Sequence, residues 1–262
     1  MGVVVVGWIN GSAQDLFDAF HSRRFADYLW SNGRYEESAI EYERTWWLNP
    51  KDTFAVLRSI DAYRRSGQYR SALRRLYATW QTLHEMPLSA RKRLFQTYVA
   101  MASYDSAAQV LATISDVDSA WHAALAVLRG NLDAVPSLLE PCMTASCKKM
   151  RVYYEQWIYT RRKQPWVAGI LSTAVPGLGK VYLGRHIDAA IAFLMVSGNA
   201  WQAWRGFRQE GVQSVRGWVF GSVALGFYLG NIWGSVRAAH QFNRQIDEKL
   251  HRNSRRLLLS YP

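Results

Sequence analysis

The chain has 262 residues, enough for one or two domains. It contains 12 Trp, 14 Tyr and 10 Phe, which is many for this length, and its formal charge is +12. Residues 1–147 carry 15 Lys/Arg and 15 Asp/Glu, so the whole positive excess lies in residues 148–262, where cations flank apolar runs. This distribution is typical of segments next to a membrane and argues against a nucleic-acid partner.

The N-terminal segment carries no charge before Asp15. Residues 3–9 form a short apolar stretch, and residues 11–13 are the small residues that a signal peptidase prefers, but no basic residue precedes them. We expect residues 1–13 to be a signal peptide cleaved after Ala13. A mis-set start codon or a buried N-terminal segment are the alternatives.

Two stretches then repeat with a period of 34 residues. "NGRYEESAIEYERTWWLNP" (32–50) and "SGQYRSALRRLYATWQTLHEMP" (66–87) align Gly33 with Gly67, and each glycine is followed by a tyrosine two residues later. A predicted helix precedes each glycine, and a second helix begins at each tyrosine. The pattern therefore predicts helical hairpins with the glycine in the turn.

Weaker copies of the pattern lie at Tyr104 and around Gly130. Over about residues 15–145 the chain resembles the tetratricopeptide repeat. The resemblance implies a solenoid of hairpins whose concave face, formed by the first helix of each hairpin, binds a protein partner. The groove residues that it implies are Arg23, Asp27, Trp30, Phe54, Asp61, Arg64, Lys92 and Gln96. The alternative is that the repeats only pack against the rest of the chain.

Cys142 and Cys147 follow the last repeat. No histidine lies near enough to complete a four-ligand zinc site with them. They form a disulfide bond if this part is exported, and they are free thiols if it is cytosolic.

"PGLGKVYLGR" (176–185) combines a proline, three glycines and two cations between apolar runs. It is not a phosphate-binding loop, because Ala174 stands where the first glycine is needed and Val181 where a hydroxyl is needed. The flanking apolar runs are residues 166–175, 187–204 and 217–236. Only the third reaches full span length without a charge, and the first does so only if it continues to Leu183.

The stretch "AGILSTAVPGLGKVYLGRHIDAAIAFL" resembles a small bacterial membrane domain found in uncharacterised envelope proteins, and "FYLGNIWGSVRAAHQFN" (227–243) resembles the end of that domain. Lys180 departs from the glutamine that is frequent there. The resemblance covers residues 165–243 and implies a helical hairpin in the membrane, without enzymatic activity. The motif residues are Pro176, Gly177, Gly179, Tyr182, Gly184, Arg185 and Asp188.

Glycines recur at intervals of four in the third run. Gly226, Gly230 and Gly234 share one helix face, and Asn231 can add a hydrogen bond between helices. This stripe predicts close helix packing, either within the chain or with a second copy in a homo-oligomer.

The cations set the expected topology. The C-terminal tail is the most basic end and is expected in the cytoplasm. Three spans then place the repeats in the periplasm of a bacterial inner membrane, whereas two spans place the repeats and the tail together in the cytosol. We favour three spans.

The sequence contains no recognisable motif of catalytic residues, and no histidine is paired with a second metal-type ligand on one helix face. We expect no enzyme, no cofactor and no metal. Asp188 is the one acid within the membrane segments and is either a functional residue or a capping or ion-pairing residue beside Arg185.

The sequence thus predicts an all-α protein: a tetratricopeptide solenoid followed by a glycine-rich transmembrane hairpin or bundle. We expect a membrane-anchored adaptor or scaffold in contact with lipids, which binds a protein partner through its repeats. The alternative is a small membrane-active factor that assists protein insertion or solute passage and is regulated by the repeats. The expected segments are 1–13 (signal peptide), 14–147 (repeats), 148–164 (basic linker), 165–238 (membrane domain) and 239–262 (basic tail).

Overall fold

The chain is all-α, as predicted. The structure, a computed structural model, describes residues 18–115, 117–140 and 142–260, and within these ranges every regular element is helical. The expected signal peptide lies outside the described residues. In chain order the elements are α1 Ala19–Ser31, α2 Tyr35–Leu48, α3 Thr53–Arg65, α4 Tyr69–Thr79, α5 Leu88–Ala100, α6 Tyr104–Leu111, α7 Ser119–Leu128, α8 Val135–Leu139, α9 Ala145–Tyr159, α10 Pro165–Ala174, α11 Leu178–Tyr182, α12 His186–Glu210, a short 3-10 helix Gly211–Gln213, and α13 Val215–Leu259.

The described residues form two compact units, which we treat separately. The first unit, called the repeat unit below, comprises residues 18–147 and 254–260. The second, called the membrane unit below after the location expected from its sequence, comprises residues 148–253. The last turns of α13 therefore belong to the repeat unit. The segment expected as a linker is mostly helix α9, and most of the expected tail continues α13.

The repeat unit is built from four helical hairpins, α1–α2, α3–α4, α5–α6 and α7–α8. Each helix packs on the next along the chain, and α3 also packs on α5. Alanines such as Ala26, Ala39, Ala55 and Ala72 are fully buried. Their small side chains let neighbouring helices approach closely, which is how a hairpin that cannot bury its own apolar face gains a core from its neighbours.

The turn of every hairpin holds one residue with a left-handed backbone. In each case the amide of the following residue bonds to a carbonyl five residues back, as Arg34 does to Leu29 at 2.9 Å, and this closes the end of the first helix. The four turn residues are Gly33 (φ +73°), Gly67 (φ +80°), Ala102 (φ +58°) and Gly130 (φ +78°).

In the membrane unit, α10 packs against α13 through small and polar residues. Ala168 and Ala239 are fully buried, and the hydroxyl of Ser172 donates to the hydroxyl of Ser235 at 2.7 Å. The side chain of Asn243 accepts from the amide of Lys163 and donates to its carbonyl, at 2.9 and 2.8 Å. The start of α10 is thereby tied to α13.

Three complete membrane spans are not what the structure shows. In the described part of the chain, only α13 is both long and apolar enough to cross a membrane. Helix α10 has 10 residues, or about 15 Å of helix axis, which is half of a hydrocarbon core. It stops because Val175, the residue before Pro176, is extended (φ −139°, ψ 122°).

Candidate functional site

The repeat unit contains a groove of about 810 Å³. It lies along α1, α3 and α5, the first helices of three successive hairpins. The last residues of the chain's C-terminal helix also border it. The lining residues are Trp30, Arg58, Asp61, Arg64, Arg65, Tyr69, Leu88, Ser89, Lys92, Arg93, Gln96, Ala100, Leu259 and Ser260.

The groove is strongly basic, because its lining holds five cationic side chains and a single acid, Asp61. The Asp61 carboxylate accepts from Arg64 Nη1 at 2.9 Å and from Arg93 Nε at 2.9 Å. The guanidinium groups of Arg58 and Arg65 lie over the Trp30 ring, 4.7 and 4.6 Å from its centroid. One carboxylate cannot neutralise five cations, so the groove carries a net positive charge that favours an anionic ligand.

Arg64 is a largely buried cation of the groove. Its side chain is 14% exposed, and its Nε has no hydrogen-bond partner. Burial lowers the pKa of Arg64, and the neighbouring Asp61 opposes that change. A buried guanidinium N–H without a partner is costly, which makes Arg64 a group that gains from an added acceptor.

Five of the eight predicted groove residues line the groove: Trp30, Asp61, Arg64, Lys92 and Gln96. The other three do not, because they hold hairpins together. Arg23 pairs with Asp52 at 3.4 Å and lies 4.3 Å from the Phe54 ring centroid. Asp27 accepts a hydrogen bond from the buried Tyr42 hydroxyl, so its carboxylate is engaged within the first hairpin.

Sequence reasoning missed nine of the fourteen lining residues, although a signal was present for four of them, Arg58, Arg65, Ser89 and Arg93. Arg58, Asp61 and Arg65 are spaced i, i+3, i+7 on α3, and Ser89, Lys92, Arg93 and Gln96 are spaced i, i+3, i+4, i+7 on α5. Both spacings place their members on one helix face. A search for polar faces on the first helices would have found these residues.

The chain's own C-terminal helix is the unexpected part of the site. Gln96 Nε2 donates to the carbonyl of Leu258 at 3.2 Å, and Arg255 Nη2 donates to the carbonyl of Ala100 at 2.7 Å. Leu258 is fully buried. No local pattern in the sequence joins residues 96 and 258, so this contact could not be predicted.

The two cysteines lie beside an acid. Their sulfurs are 2.02 Å apart, as in a disulfide bond. Asp118 Oδ1 lies 3.1 Å from the sulfur of Cys142 and 2.9 Å from that of Cys147. Only thiols can donate to this carboxylate, and only reduced sulfurs could join it in binding a metal, so the chemistry of this cluster depends on its redox state.

The Pro-Gly motif forms a tight bend held by backbone contacts. Gly177 and Gly184 have left-handed backbones, at φ +91° and +76°. Gly179 does not have a left-handed backbone. Glycine is required at this position because a Cβ would lie closer than 3.0 Å to the Ala168 carbonyl oxygen. Tyr182 accepts from the amide of Gln164 at 3.2 Å, so the bend is tied to the start of α10.

Asp188 and Arg185 form an ion pair at 2.6 Å at the start of α12. Both side chains are partly exposed. This is the ion-pairing alternative that the sequence left open for Asp188.

The glycine stripe does not pack within the chain. A Cβ added at Gly226, Gly230 or Gly234 would meet no atom within 4 Å. The prediction that this stripe packs closely against another helix of the same chain is therefore wrong within the described residues. Its contact with a second copy stays a prediction.

A close contact between helices is found instead at Gly206 and Gly217, where a Cβ on Gly206 would lie 2.8 Å from the Gly217 nitrogen. The short connection between α12 and α13 brings these positions together.

Comparison of the chain with protein-family models, with curated proteins and with solved structures found no match.

Proposed function

We propose that this protein is a membrane-anchored adaptor whose repeat unit binds an acidic segment of a partner protein. The observation that carries this proposal is the basic groove, in which five cations face one acid on the first helices of successive hairpins. An extended acidic segment has the charge and the shape for such a groove. The groove contains no paired nucleophile and base that would suggest catalysis.

The surface of the membrane unit supports the anchoring part of the proposal. Large apolar side chains are exposed along α10, α12 and α13, among them Ile170, Ile187, Leu194, Leu225 and Leu229. A protein in water rarely exposes so large a contiguous apolar surface. Contact with the hydrocarbon of a membrane removes the free-energy cost of exposing these side chains to water. Helix α13 is long enough to cross that hydrocarbon.

Arginine and tryptophan side chains mark where α12 and α13 are expected to meet the two headgroup regions of the membrane. The uncharged stretch between Arg216 and Arg237 covers about 30 Å of helix axis, the thickness of a hydrocarbon core. Arg237 lies 5.3 Å from the Trp233 ring centroid, and at the other end Arg208 lies 5.1 Å from that of Trp204. Arginine and tryptophan prefer the headgroup region, so two such levels are consistent with a crossing hairpin of α12 and α13.

The C-terminal contact argues for two crossings. Residues 254–260 pack with the repeats through Gln96 and Arg255, so the repeats and the end of α13 lie on the same side of any membrane. Three crossings would place them on opposite sides. We therefore replace the expected three spans by two: α13, and α12, which at 25 residues is long enough to cross although its sequence is less apolar than the span-like stretch of α13.

The distribution of cations indicates on which side of the membrane the repeats lie. The periplasmic position expected for the repeats depended on three spans and a cytoplasmic tail. With the tail and the repeats together, the positive-inside rule assigns both to the cytoplasm, because the connection between α12 and α13 is flanked by only Arg205, Arg208 and Arg216. Cys142 and Cys147 would form a disulfide bond in the oxidising periplasm, whereas the cytosol keeps thiols reduced. Their redox state in cells therefore distinguishes the two faces.

The groove is tested with the full chain in detergent micelles and a fluorescein-labelled hexaglutamate peptide, followed by fluorescence anisotropy. Lys92→Glu should weaken binding about fivefold, since loss of one ion pair and gain of a repulsion costs about 1 kcal/mol. Arg70→Glu is the matched control, because Arg70 is exposed on α4 and does not line the groove. Equal weakening by both variants, or equal binding of a hexaserine peptide, contradicts the proposal.

A further inference from the structure

A cavity of about 240 Å³ lies in the membrane unit between α11, α12 and α13, apart from the repeat groove. Gly226 and Gly230 leave room for it, since a Cβ at either position would meet no atom within 4 Å. The glycine stripe therefore opens space in this chain and does not bring two helices together. The remaining walls combine one cation, one amide and several apolar side chains.

Asn231 is the polar group that makes the cavity unusual. It is 5% exposed, and both its Nδ2 and its Oδ1 lack a hydrogen-bond partner. A buried amide without partners is destabilising, because it loses its hydrogen bonds to water and gains none within the protein. Because Asn231 lines the cavity, a ligand there with both an acceptor and a donor would satisfy it.

Lys180 supplies the charge. It lies on α11 within the Pro-Gly motif and lines the same cavity. The bend holds it in place, because Gly177 packs against the backbone of Ala189 and Gly179 against that of Ala168. Ile191, Met195 and Phe227 provide apolar walls beside the two polar groups.

We propose that this cavity binds an anionic glycerophospholipid. The Lys180 ammonium pairs with the phosphate, the Asn231 amide bonds the ester carbonyl and a headgroup hydroxyl, and an acyl chain lies along Ile191, Met195 and Phe227. The depth of Asn231 in the proposed membrane agrees with such a ligand. Asn231 precedes Arg237, which marks the headgroup level, by six residues, or about 9 Å along the helix axis.

The proposal goes beyond the adaptor function and rests on the membrane insertion argued above. It assigns the Pro-Gly motif a role in lipid binding, in addition to forming the bend between α10 and α12. In this proposal the motif holds the Lys180 ammonium beside a cavity that has one buried amide and otherwise apolar walls.

The test measures the thermal midpoint of the full chain in nanodiscs of phosphatidylcholine and in nanodiscs with added phosphatidylglycerol. The wild type should be stabilised by phosphatidylglycerol, and Lys180→Gln and Asn231→Leu should lose that increment. Gly230→Leu should fold normally in phosphatidylcholine, since its side chain enters open space, and should also lose the increment. Arg185→Gln is the control, because Arg185 lies in the same motif, pairs with Asp188 and does not line the cavity.

The remaining arms separate the alternatives. An equal midpoint in both lipids, or an increment that survives in Gly230→Leu, contradicts the lipid site. An equal gain from soluble glycerol phosphate in phosphatidylcholine nanodiscs shows a phosphate site only and contradicts it too. If crosslinking shows that Gly230→Leu abolishes a dimer, the cavity is occupied by a second copy. Recovery of the full chain from cells without detergent contradicts the membrane proposal together with this one.

Discussion

At the scale of single residues, the hairpin turns show how one backbone requirement is met by different side chains. Three of the four turns use glycine at the left-handed position, and the third hairpin uses Ala102 at φ +58°. An L-residue in this conformation costs about 1–2 kcal/mol relative to glycine. The period of the repeat located Gly33 and Gly67 correctly, but no glycine marks the third turn.

We expect Ala102→Gly to stabilise the protein by about 1 kcal/mol, because it removes this backbone strain. The converse change, Gly67→Ala, should cost a similar amount, since its Cβ would meet no atom and only the backbone conformation is affected. Ala108→Gly, inside α6, should instead destabilise by about 1 kcal/mol. Thermal unfolding in detergent micelles measures all three, and stabilisation by both alanine-to-glycine changes would contradict the turn assignment.

At the scale of elements, the bend between α10 and α12 depends on backbone contacts. The left-handed residues of this bend are Gly177 and Gly184. Gly179 is needed because α11 lies directly against the backbone of α10. Composition can indicate a bend, whereas the reason for each glycine depends on which helix lies opposite.

Gly179→Val should therefore disrupt the membrane unit, with a loss of more than about 3 kcal/mol, since a Cβ would overlap the Ala168 carbonyl and backbone cannot move aside as a side chain can. Gly198→Val is the matched control, because a Cβ at Gly198 inside α12 would meet no atom within 4 Å. The yield of folded, detergent-extracted protein and its thermal midpoint report the difference. Equal yields for the two variants would show that α11 does not contact α10.

At the scale of the whole molecule, the decisive feature is the return of α13 to the repeats. If α12 and α13 cross a membrane as proposed, the repeats and residues 254–260 lie on one side of it and the connection between α12 and α13 lies on the other.

Site-specific labelling tests this topology. With Cys142 and Cys147 replaced by serine, single cysteines at the exposed positions Ser137, Gln213 and Arg252 are treated with a membrane-impermeant maleimide in intact cells and in inverted vesicles. Residues 137 and 252 should label from one side and residue 213 from the other. Labelling of 137 and 252 from opposite sides would restore the three-span arrangement.

The sequence by itself determined the helical class and the first two hairpin turns, because these depend on local propensity and on the spacing of glycine, tyrosine and apolar residues. It also predicted five groove residues, since a face of one helix repeats every three to four positions. The charge excess near the apolar runs followed from composition alone.

Only the tertiary structure decided which surfaces meet. The contact of Gln96 with Leu258, the open space at Gly230 and the unpartnered Asn231 each depend on residues far apart in the chain. A small-residue stripe looks the same in sequence whether another helix covers it or a cavity lies beside it. Which of these occurs is fixed by the crossing of the helices, and that crossing is set by the packing of the whole unit and not by any local stretch of sequence.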